Sequence, residues 1–251
     1  MSQLFTTVII TDSRGRGIHE YIDNQPTPEN QQFVVKVQPG KSLAQLSPTI
    51  IDTLNNYKLD QVYCIIYAGI CGLTDKTTNK SLGKRVSVLR YQETYRSDKV
   101  NTNIDTAKFL KASYGEHINF CSIIPADLTA YFKLHNPSLQ VPDYLATEQK
   151  ALEEDVLTIN KALLALNSSA QTNINLCSRA QVKAKKKRQR SGSKIVYRRK
   201  ARFSYKDSTD GVHFNNKFKE VLFDLILHTS IRDTIAILQA PSGSSSSSES
   251  D

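Results

Sequence analysis

The sequence predicts an α/β fold, a three-layer α/β/α sandwich around a parallel sheet of roughly five strands. Runs of β-branched and aromatic residues alternate with longer amphipathic stretches, as expected when helices connect parallel strands. One of these runs, residues 61–70, is apolar at nearly every position, which is typical of a strand buried on both faces. A turn with serine or glycine follows each of the first three runs, at the sheet edge where such folds gather functional groups.

The individual elements follow from these patterns. The long helix has Leu145, Leu152 and Val156 at helical spacing, and Ser42 is a good N-cap for an earlier helix. The strands are predicted at residues 4–11, 32–40, 61–70, 117–125 and 172–177, and the helices at residues 18–23, 42–57, 143–166 and 215–238.

The length and the charge distribution predict one domain with a basic insertion. A chain of 251 residues suits a single large α/β domain, which we place at residues 1–240, with the insertion at about 179–203. Residues 183–202, here called the basic segment, hold 11 of the 33 Lys and Arg residues and no acid. The remaining 22 basic residues are balanced by 24 acidic ones, so the fold itself is close to neutral. The serine-rich, acidic stretch 241–251 is predicted to be disordered.

Several classes of protein are not expected. The sequence has no apolar run of 18 residues, so we expect no membrane span, and the first residues are typical of a strand rather than a signal peptide. The four cysteines show no CxxC spacing, which favours reduced thiols in an intracellular protein, cytoplasmic or nuclear. Neither a structural zinc site nor any other cofactor is predicted.

The stretch VIITDSRGRGI, residues 8–18, ends a predicted strand at a serine on a glycine-flanked turn. A dinucleotide site would need a third glycine where Glu20 stands, and a GxSxG elbow would need a glycine in place of Thr11. A serine nucleophile needs a histidine base and an acid that orients it. His213 in TDGVHFNN, with Asp210 three residues earlier, best meets that need. An ordinary turn serine remains the alternative for Ser13.

The stretches ITDSRGRG, VQPGKSL, YAGICGLT and DGVHFN resemble the four blocks of the SGNH (GDSL-type) hydrolases, in that family's order. The RGRG and GICxLT stretches are also similar to those of esterase-like proteins of invertebrates and mobile elements. The resemblance spans nearly the whole chain and implies a flavodoxin-like sandwich. It implies Ser13 as nucleophile, His213 as base and Asp210 as its orienting acid. It also implies an oxyanion hole formed by the N–H groups of Ser13 and Gly40 and by an asparagine of the third block.

The third block departs from the family pattern. Where the family has G-x-N-D, this chain reads Gly69-Ile70-Cys71-Gly72, so Cys71 stands in place of the asparagine. A thiol is a weaker hydrogen-bond donor than an amide, and losing one oxyanion donor typically lowers kcat by about 10²–10³-fold. Asn101 or Asn103 could supply the missing donor.

Two functions therefore stay open. The first is a serine esterase or acyl hydrolase that acts on a small ester or acylated substrate through a covalent acyl-enzyme. The second is an inactive binding protein of the same fold whose basic segment docks on nucleic acid. A solvated loop, a transport signal and a basic β-ribbon are further interpretations of the segment. Its predicted phosphate contacts are Lys183, Lys185, Lys186, Lys187, Arg188 and Arg190.

Overall fold

The computed structural model describes residues 4–81, 84–167, 171–183, 187–191, 194–198 and 201–239. The elements in chain order are β1 (Phe5–Thr11), α1 (Ile18–Asp23), β2 (Gln31–Val37), α2 (Leu43–Asn55), β3 (Val62–Tyr67), β4 (Asp75–Ser81), β5 (Lys84–Arg90), α3 (Arg96–Tyr114), β6 (Ile118–Phe120), α4 (Leu128–His135), α5 (Tyr144–Leu166), β7 (Gln181–Lys183), β8 (Lys187–Ser191), β9 (Lys194–Arg198), β10 (Ala201–Phe203) and α6 (Asn216–Gln239). Short 3-10 turns lie between several of these elements.

A parallel sheet with the strand order β2-β1-β3-β6 forms the centre of the fold. Thr11 at the end of β1 is in register with Val37 of β2 and with Tyr67 of β3. The three strands therefore end at one edge of the sheet. The turns that follow them carry Ser13, Gly40 and the third-block turn, residues 69–72.

Alternating residues of the strands feed two apolar layers, so the sheet is covered on both faces. Val8 and Ile10 of β1 pack in one layer with buried residues of α2, α3, α4 and α5. Ile9 points to the other layer, with buried residues of α1 and α6. The predicted α/β/α sandwich is confirmed.

The predicted fifth strand, residues 172–177, is wrong, and the described residues hold four strands in the parallel sheet. Asparagine side chains compete here for backbone hydrogen bonds. Asn175 caps a 3-10 helix, Leu176–Ala180, by accepting the N–H of Ser178 at 3.1 Å. The described backbone bond to the sheet side runs from the N–H of Ser122 to the carbonyl of Ile174 at 3.0 Å, and Asn119 Nδ2 donates to the carbonyl of Thr172 at 2.9 Å.

The strand predicted at 117–125 is also shorter, because β6 spans three residues. Two asparagine side chains near the end of α5 make the backbone hydrogen bonds that a neighbouring strand would make. Asn160 accepts the N–H of Ile123 at 2.6 Å and donates to its carbonyl at 2.8 Å. Asn167 makes the same pair of bonds to Phe120, at 2.9 and 3.0 Å. These amides satisfy backbone groups that a fifth strand would otherwise have bonded.

Three antiparallel pairs lie outside the central sheet. β4 pairs with β5 in a hairpin that precedes α3. In the basic segment, β8 pairs with β9, and β7 pairs with β10. Of the ribbon and loop interpretations, the described residues therefore favour a β-ribbon.

The stretch 241–251 lies outside the described residues, so the predicted disorder there stays a prediction. Within the described part of the chain, no helix is long and apolar enough to span a membrane.

Candidate active site

Ser13 opens a single 3-10 turn at the carboxyl end of β1. Asp12 caps this turn because its Oδ1 accepts the N–H of Arg14 at 2.9 Å. The turn is packed into the protein, and Ser13 retains 8% of its exposure. Residues 12–15 are called the serine turn below. A capped, buried turn of this kind presents a serine hydroxyl in a fixed direction.

Asp12 itself is buried beneath the serine. Burial raises the pKa of Asp12, and the rise is opposed by the charge of Arg14 and by N–H groups of Arg14 and Gly69. The bond from Gly69 ties the serine turn to the third-block turn. Asp12 therefore organises this edge of the sheet, and its carboxylate does not touch the hydroxyl of Ser13 in any hydrogen bond that the structure describes.

The histidine loop, residues 207–215, returns the chain to this edge from the other end of the sequence. Asp210 Oδ1 accepts the N–H of Val212 at 2.8 Å and that of His213 at 2.6 Å, which closes a tight turn. Gly211 has φ +83°, and a Cβ there would lie 2.3 Å from the carbonyl oxygen of Asp127. Only glycine fits at this close approach, which docks the loop on the start of α4.

The structure brings Ser13, His213 and Asp210 into one hydrogen-bonded chain. His213 Nδ1 lies 2.6 Å from Asp210 Oδ2, and His213 Nε2 lies 3.0 Å from Ser13 Oγ. An ionised carboxylate can only accept, so the proton of the neutral ring sits on Nδ1 and Nε2 accepts from the serine hydroxyl. A serine nucleophile that is activated by a histidine base requires a geometry of this kind.

The environment of Asp210 keeps its carboxylate ionised. Partial burial raises the pKa of Asp210. Hydrogen bonds from the backbone and ring of His213 and from the N–H of Val212 lower that pKa by a larger amount. The net pKa of Asp210 lies below its usual value. The ion that would stabilise a positively charged histidine ring is therefore in place at neutral pH.

The two other residues predicted for the oxyanion hole also meet. The N–H of Gly40 is directed at the sulfur of Cys71, whose thiol lies 3.9 Å from Asp12 Oδ2. Burial and the carboxylate of Asp12 raise the pKa of Cys71 to about 11, so this group is a neutral thiol near pH 7. Cys71 therefore occupies the space between the second and first turns.

Comparison with solved structures identifies the architecture. A candidate acylhydrolase from Bacteroides fragilis NCTC 9343 matches with a TM-score of 0.52 at 14% sequence identity, over 92% of this chain and 88% of that chain. The chain has the SGNH hydrolase fold. No protein-family model matches the sequence, and no curated protein matches it.

Two further structures are similar to this SGNH fold. An acetyl esterase variant solved with an acetate ion matches with a TM-score of 0.48 at 10% identity, over 93% of this chain and all of that chain (100%). A candidate GDSL-like lipase from Parabacteroides merdae ATCC 43184 matches with a TM-score of 0.47 at 8% identity, over 92% and 97% of the two chains.

A buried asparagine of α3 approaches the third block of this SGNH fold from outside the block. A Cβ on Gly69 would lie 3.2 Å from Asn103 Oδ1, and one on Gly72 would lie 3.5 Å from Asn103 Nδ2. Asn103 Nδ2 donates to the carbonyl of Lys99 at 2.9 Å, while its Oδ1 has no hydrogen-bond partner among the residues that the structure describes. Asn101, the other candidate named from the sequence, is exposed on the same helix.

A cavity of about 490 Å³ lies beside the same turn. Its lining includes Ser42, Gly72, Lys99 and Asn103. Since Ser42 and Gly72 are close in sequence to Gly40 and Cys71, the cavity lies near two of the residues predicted for the oxyanion hole.

Arg14, which follows Ser13 directly, is a further residue of this site that the sequence patterns did not predict. Its side chain is buried at 2% exposure and bonds to backbone carbonyls of two distant segments, one of them the histidine loop. The available signal was an arginine placed between a strand end and a glycine in an otherwise buried turn. Long charged residues are rarely buried without a specific set of partners.

The candidate phosphate-binding residues lie away from this site in the sequence. Lys183 ends β7, whereas Lys187, Arg188 and Arg190 belong to β8. Lys185 and Lys186 fall outside the described residues. Within the described ranges, no group of three or more His, Cys, Asp or Glu residues could hold a metal ion.

Proposed function

We propose that this protein is a serine esterase or acyl hydrolase that works through a covalent acyl-enzyme. The observation that supports the proposal is the position of His213, with one ring nitrogen 3.0 Å from Ser13 Oγ and the other 2.6 Å from Asp210. A turn serine or a surface histidine would not need this arrangement. Small esters or acylated molecules are the proposed substrates.

The first half of the reaction forms the acyl-enzyme. Ser13 Oγ attacks the carbonyl carbon of the ester while its proton moves to His213 Nε2. The carbonyl oxygen becomes an oxyanion, which the N–H groups of Ser13 and Gly40 stabilise. Oxygen is a better acceptor than a thiol sulfur, so the substrate takes over the Gly40 N–H from Cys71. The tetrahedral intermediate then collapses, and His213 returns the proton to the departing alcohol oxygen.

The second half hydrolyses the acyl-enzyme. A water molecule gives a proton to His213 Nε2 and attacks the acyl carbon, and the bond to Ser13 Oγ breaks with return of the proton to Oγ. Asp210 stays ionised and stabilises the charged ring in both halves. The cavity beside Gly72 is the proposed site for part of the substrate.

The test is covalent labelling together with turnover. A serine-directed fluorophosphonate should label the protein, and p-nitrophenyl acetate should be hydrolysed slowly, because an oxyanion donor is missing. Ser13→Ala should abolish both. The matched control is Ser113→Ala, which removes an exposed hydroxyl on α3 and should change neither. A wild-type protein that neither labels nor turns over would reject the enzyme proposal.

We propose nucleic-acid docking by the basic segment as a second function. The supporting observation is the concentration of 11 cations without an acid in residues 183–202, seven of which stand on the paired strands β8 with β9 and β7 with β10. A two-stranded ribbon can enter the major groove of DNA, and cations that neutralise phosphates release counterions. Binding of this kind fits an active enzyme or an inactive one. An intracellular location, in the cytoplasm or the nucleus, is part of the same proposal.

A further inference from the structure

Arg14 carries a buried charge one residue from the proposed nucleophile. Its Nε donates to the carbonyl of Val212 at 2.9 Å and its Nη2 donates to the carbonyl of Pro125 at 3.4 Å. Its Nη1 donates to the carbonyl of Ile124. The guanidinium carbon also lies 5.1 Å from the ring centroid of Phe214, a distance suited to a cation–π contact.

These contacts join three parts of the chain that are far apart in sequence. Arg14 belongs to the serine turn, Ile124 and Pro125 follow β6, and Val212 and Phe214 flank His213 in the histidine loop. The loop is also fixed where the N–H of Asp127 donates to the carbonyl of Gly211 at 2.6 Å, and where Val212 and Phe214 pack against the two apolar layers. Among the hydrogen bonds of the described residues, the bond from the guanidinium to Val212 and the Ser13–His213 bond join the loop to the serine turn.

The position of this link matches a positioning role. It starts one residue after Ser13 and ends one residue before His213, so it runs beside the hydrogen bond between those two residues. We propose that Arg14 is a positioning residue, whose guanidinium holds the histidine loop so that His213 stays within proton-transfer distance of Ser13. This inference rests on the proposed serine-hydrolase function for its catalytic consequence, but the link can be tested without turnover.

Arginine is specifically suited to this role. A planar guanidinium offers five donors in fixed directions and can bond three carbonyls at once, whereas a lysine ammonium is a compact point charge. Asp12 lies in the same turn, where burial raises the pKa of its carboxyl and the positive charge of Arg14 opposes that rise. Arg14→Lys therefore keeps the charge while losing most of the link.

The first test measures kinetics on p-nitrophenyl acetate. Misplacing a catalytic group by about 1 Å can cost about 10²-fold in rate, so Arg14→Lys should lower kcat by about that factor with KM nearly unchanged. The matched control is Arg90→Lys. Arg90 is a partly buried arginine that pairs with Glu148, and both residues are distant in sequence from Ser13, Asp210 and His213. The control should keep kcat. An unchanged kcat in Arg14→Lys would overturn the proposal.

The second test is a spectroscopic measurement that needs no substrate. The proton between His213 Nδ1 and Asp210 should give a low-field NMR resonance, because the two atoms are 2.6 Å apart. That resonance should broaden or disappear in Arg14→Lys and persist in Arg90→Lys. Persistence in Arg14→Lys would overturn the role of Arg14 even if the wild-type protein proved inactive, which separates this failure from failure of the proposed function.

Chemical rescue covers the case in which Arg14→Lys does not fold. Arg14→Ala leaves a space for free guanidinium, and adding guanidinium at low millimolar concentration should restore the His213 resonance and part of kcat. Methylammonium at the same concentration should not, since it lacks the planar donor set. Full activity and an intact resonance in Arg14→Ala without guanidinium would overturn the proposal.

Discussion

Asp210 Oδ2 and His213 Nδ1 lie 2.6 Å apart, within a turn that Asp210 also closes by accepting two backbone N–H groups through its other oxygen. One carboxylate therefore both shapes the loop and orients the ring. Separate substitutions and conditions can distinguish these two roles.

The first prediction concerns the orientation of His213. In Asp210→Asn the side chain can present an N–H to Nδ1, which favours the wrong tautomer of the ring. We expect kcat to fall by about 10³–10⁴-fold, as loss of the orienting acid does in serine proteases. Steady-state hydrolysis of p-nitrophenyl acetate is the measurement. A loss smaller than tenfold would mean that His213 is oriented by something else.

The second prediction concerns stability against pH. The pKa of Asp210 is lower in the folded protein than in the unfolded chain, so its ionised form stabilises the fold above about pH 4. As the pH falls through the folded-state pKa, the carboxylate is protonated and that contribution is lost. The free energy of unfolding should therefore be larger for wild type than for Asp210→Asn at pH 7, and the difference between the two proteins should shrink toward pH 3.

Urea unfolding at a series of pH values measures this difference. Asp105→Asn is the control, because Asp105 is exposed on α3 and its ion pair with Lys108 is a surface pair that contributes little. A difference between wild type and Asp210→Asn that stayed constant from pH 7 to pH 3 would contradict the prediction.

The third prediction concerns the missing oxyanion donor. Cys71→Asn places an amide where the third block of the family has one, and kcat should rise by about 10–10³-fold. Gly72 cannot carry the asparagine instead, because a Cβ on Gly72 would lie 2.8 Å from the Cβ of Ser42. Gly72→Asn should therefore disturb the fold, seen as a lower Tm. If Cys71→Asn leaves kcat unchanged, another donor already completes the hole, and Asn103→Ala would then lower it.

The fourth prediction concerns the basic segment. Binding of duplex DNA should weaken steeply with salt, with log K against log[salt] falling at a slope of about −5 if six phosphates are contacted. Fluorescence anisotropy of a labelled duplex gives this slope. A variant with glutamine at the six proposed contact positions should lose nearly all binding and keep the hydrolysis of p-nitrophenyl acetate.

A charge-matched control makes this test specific. It removes the same number of cations from exposed positions spread over the fold, so a loss in both variants would mean that net charge, and not the basic segment, drives binding. If the variant with six glutamines bound DNA as tightly as wild type, the proposal that the basic segment binds nucleic acid would be wrong. The control positions are Lys108, Lys133, Lys150, Lys161, Lys206 and Lys217.

The sequence predicted those parts of the fold that depend on strong local patterns. β1 is a run of β-branched and aromatic residues, β3 is a continuous apolar run, and α5 and α6 have long apolar repeats. The triad could be named because each turn follows a recognisable strand or precedes a helix. The sequence pattern predicts no strand or helix in residues 71–116, since β4 consists of polar residues and α3 buries few apolar ones.

What could not be predicted depends on long-range partners. The competition of Asn160 and Asn167 for the edge of β6 is visible only once α5 is packed beside it. The burial of Arg14 likewise depends on carbonyl groups 110 and 198 residues away. Intrinsic propensities carry no information on such contacts, because they describe a residue and its near neighbours.

The separation of Ser13 and His213 has a consequence for the timing of synthesis. The two residues are 200 positions apart, and ribosomes add about 5–20 residues per second, so roughly 10–40 s pass between them. During that interval the emerging chain can build β1, β2 and β3, but its serine has neither base nor orienting acid. On the proposed mechanism, nascent polypeptides therefore carry an inert hydroxyl, and Ser13 becomes a nucleophile only when the histidine loop has left the exit tunnel and docked.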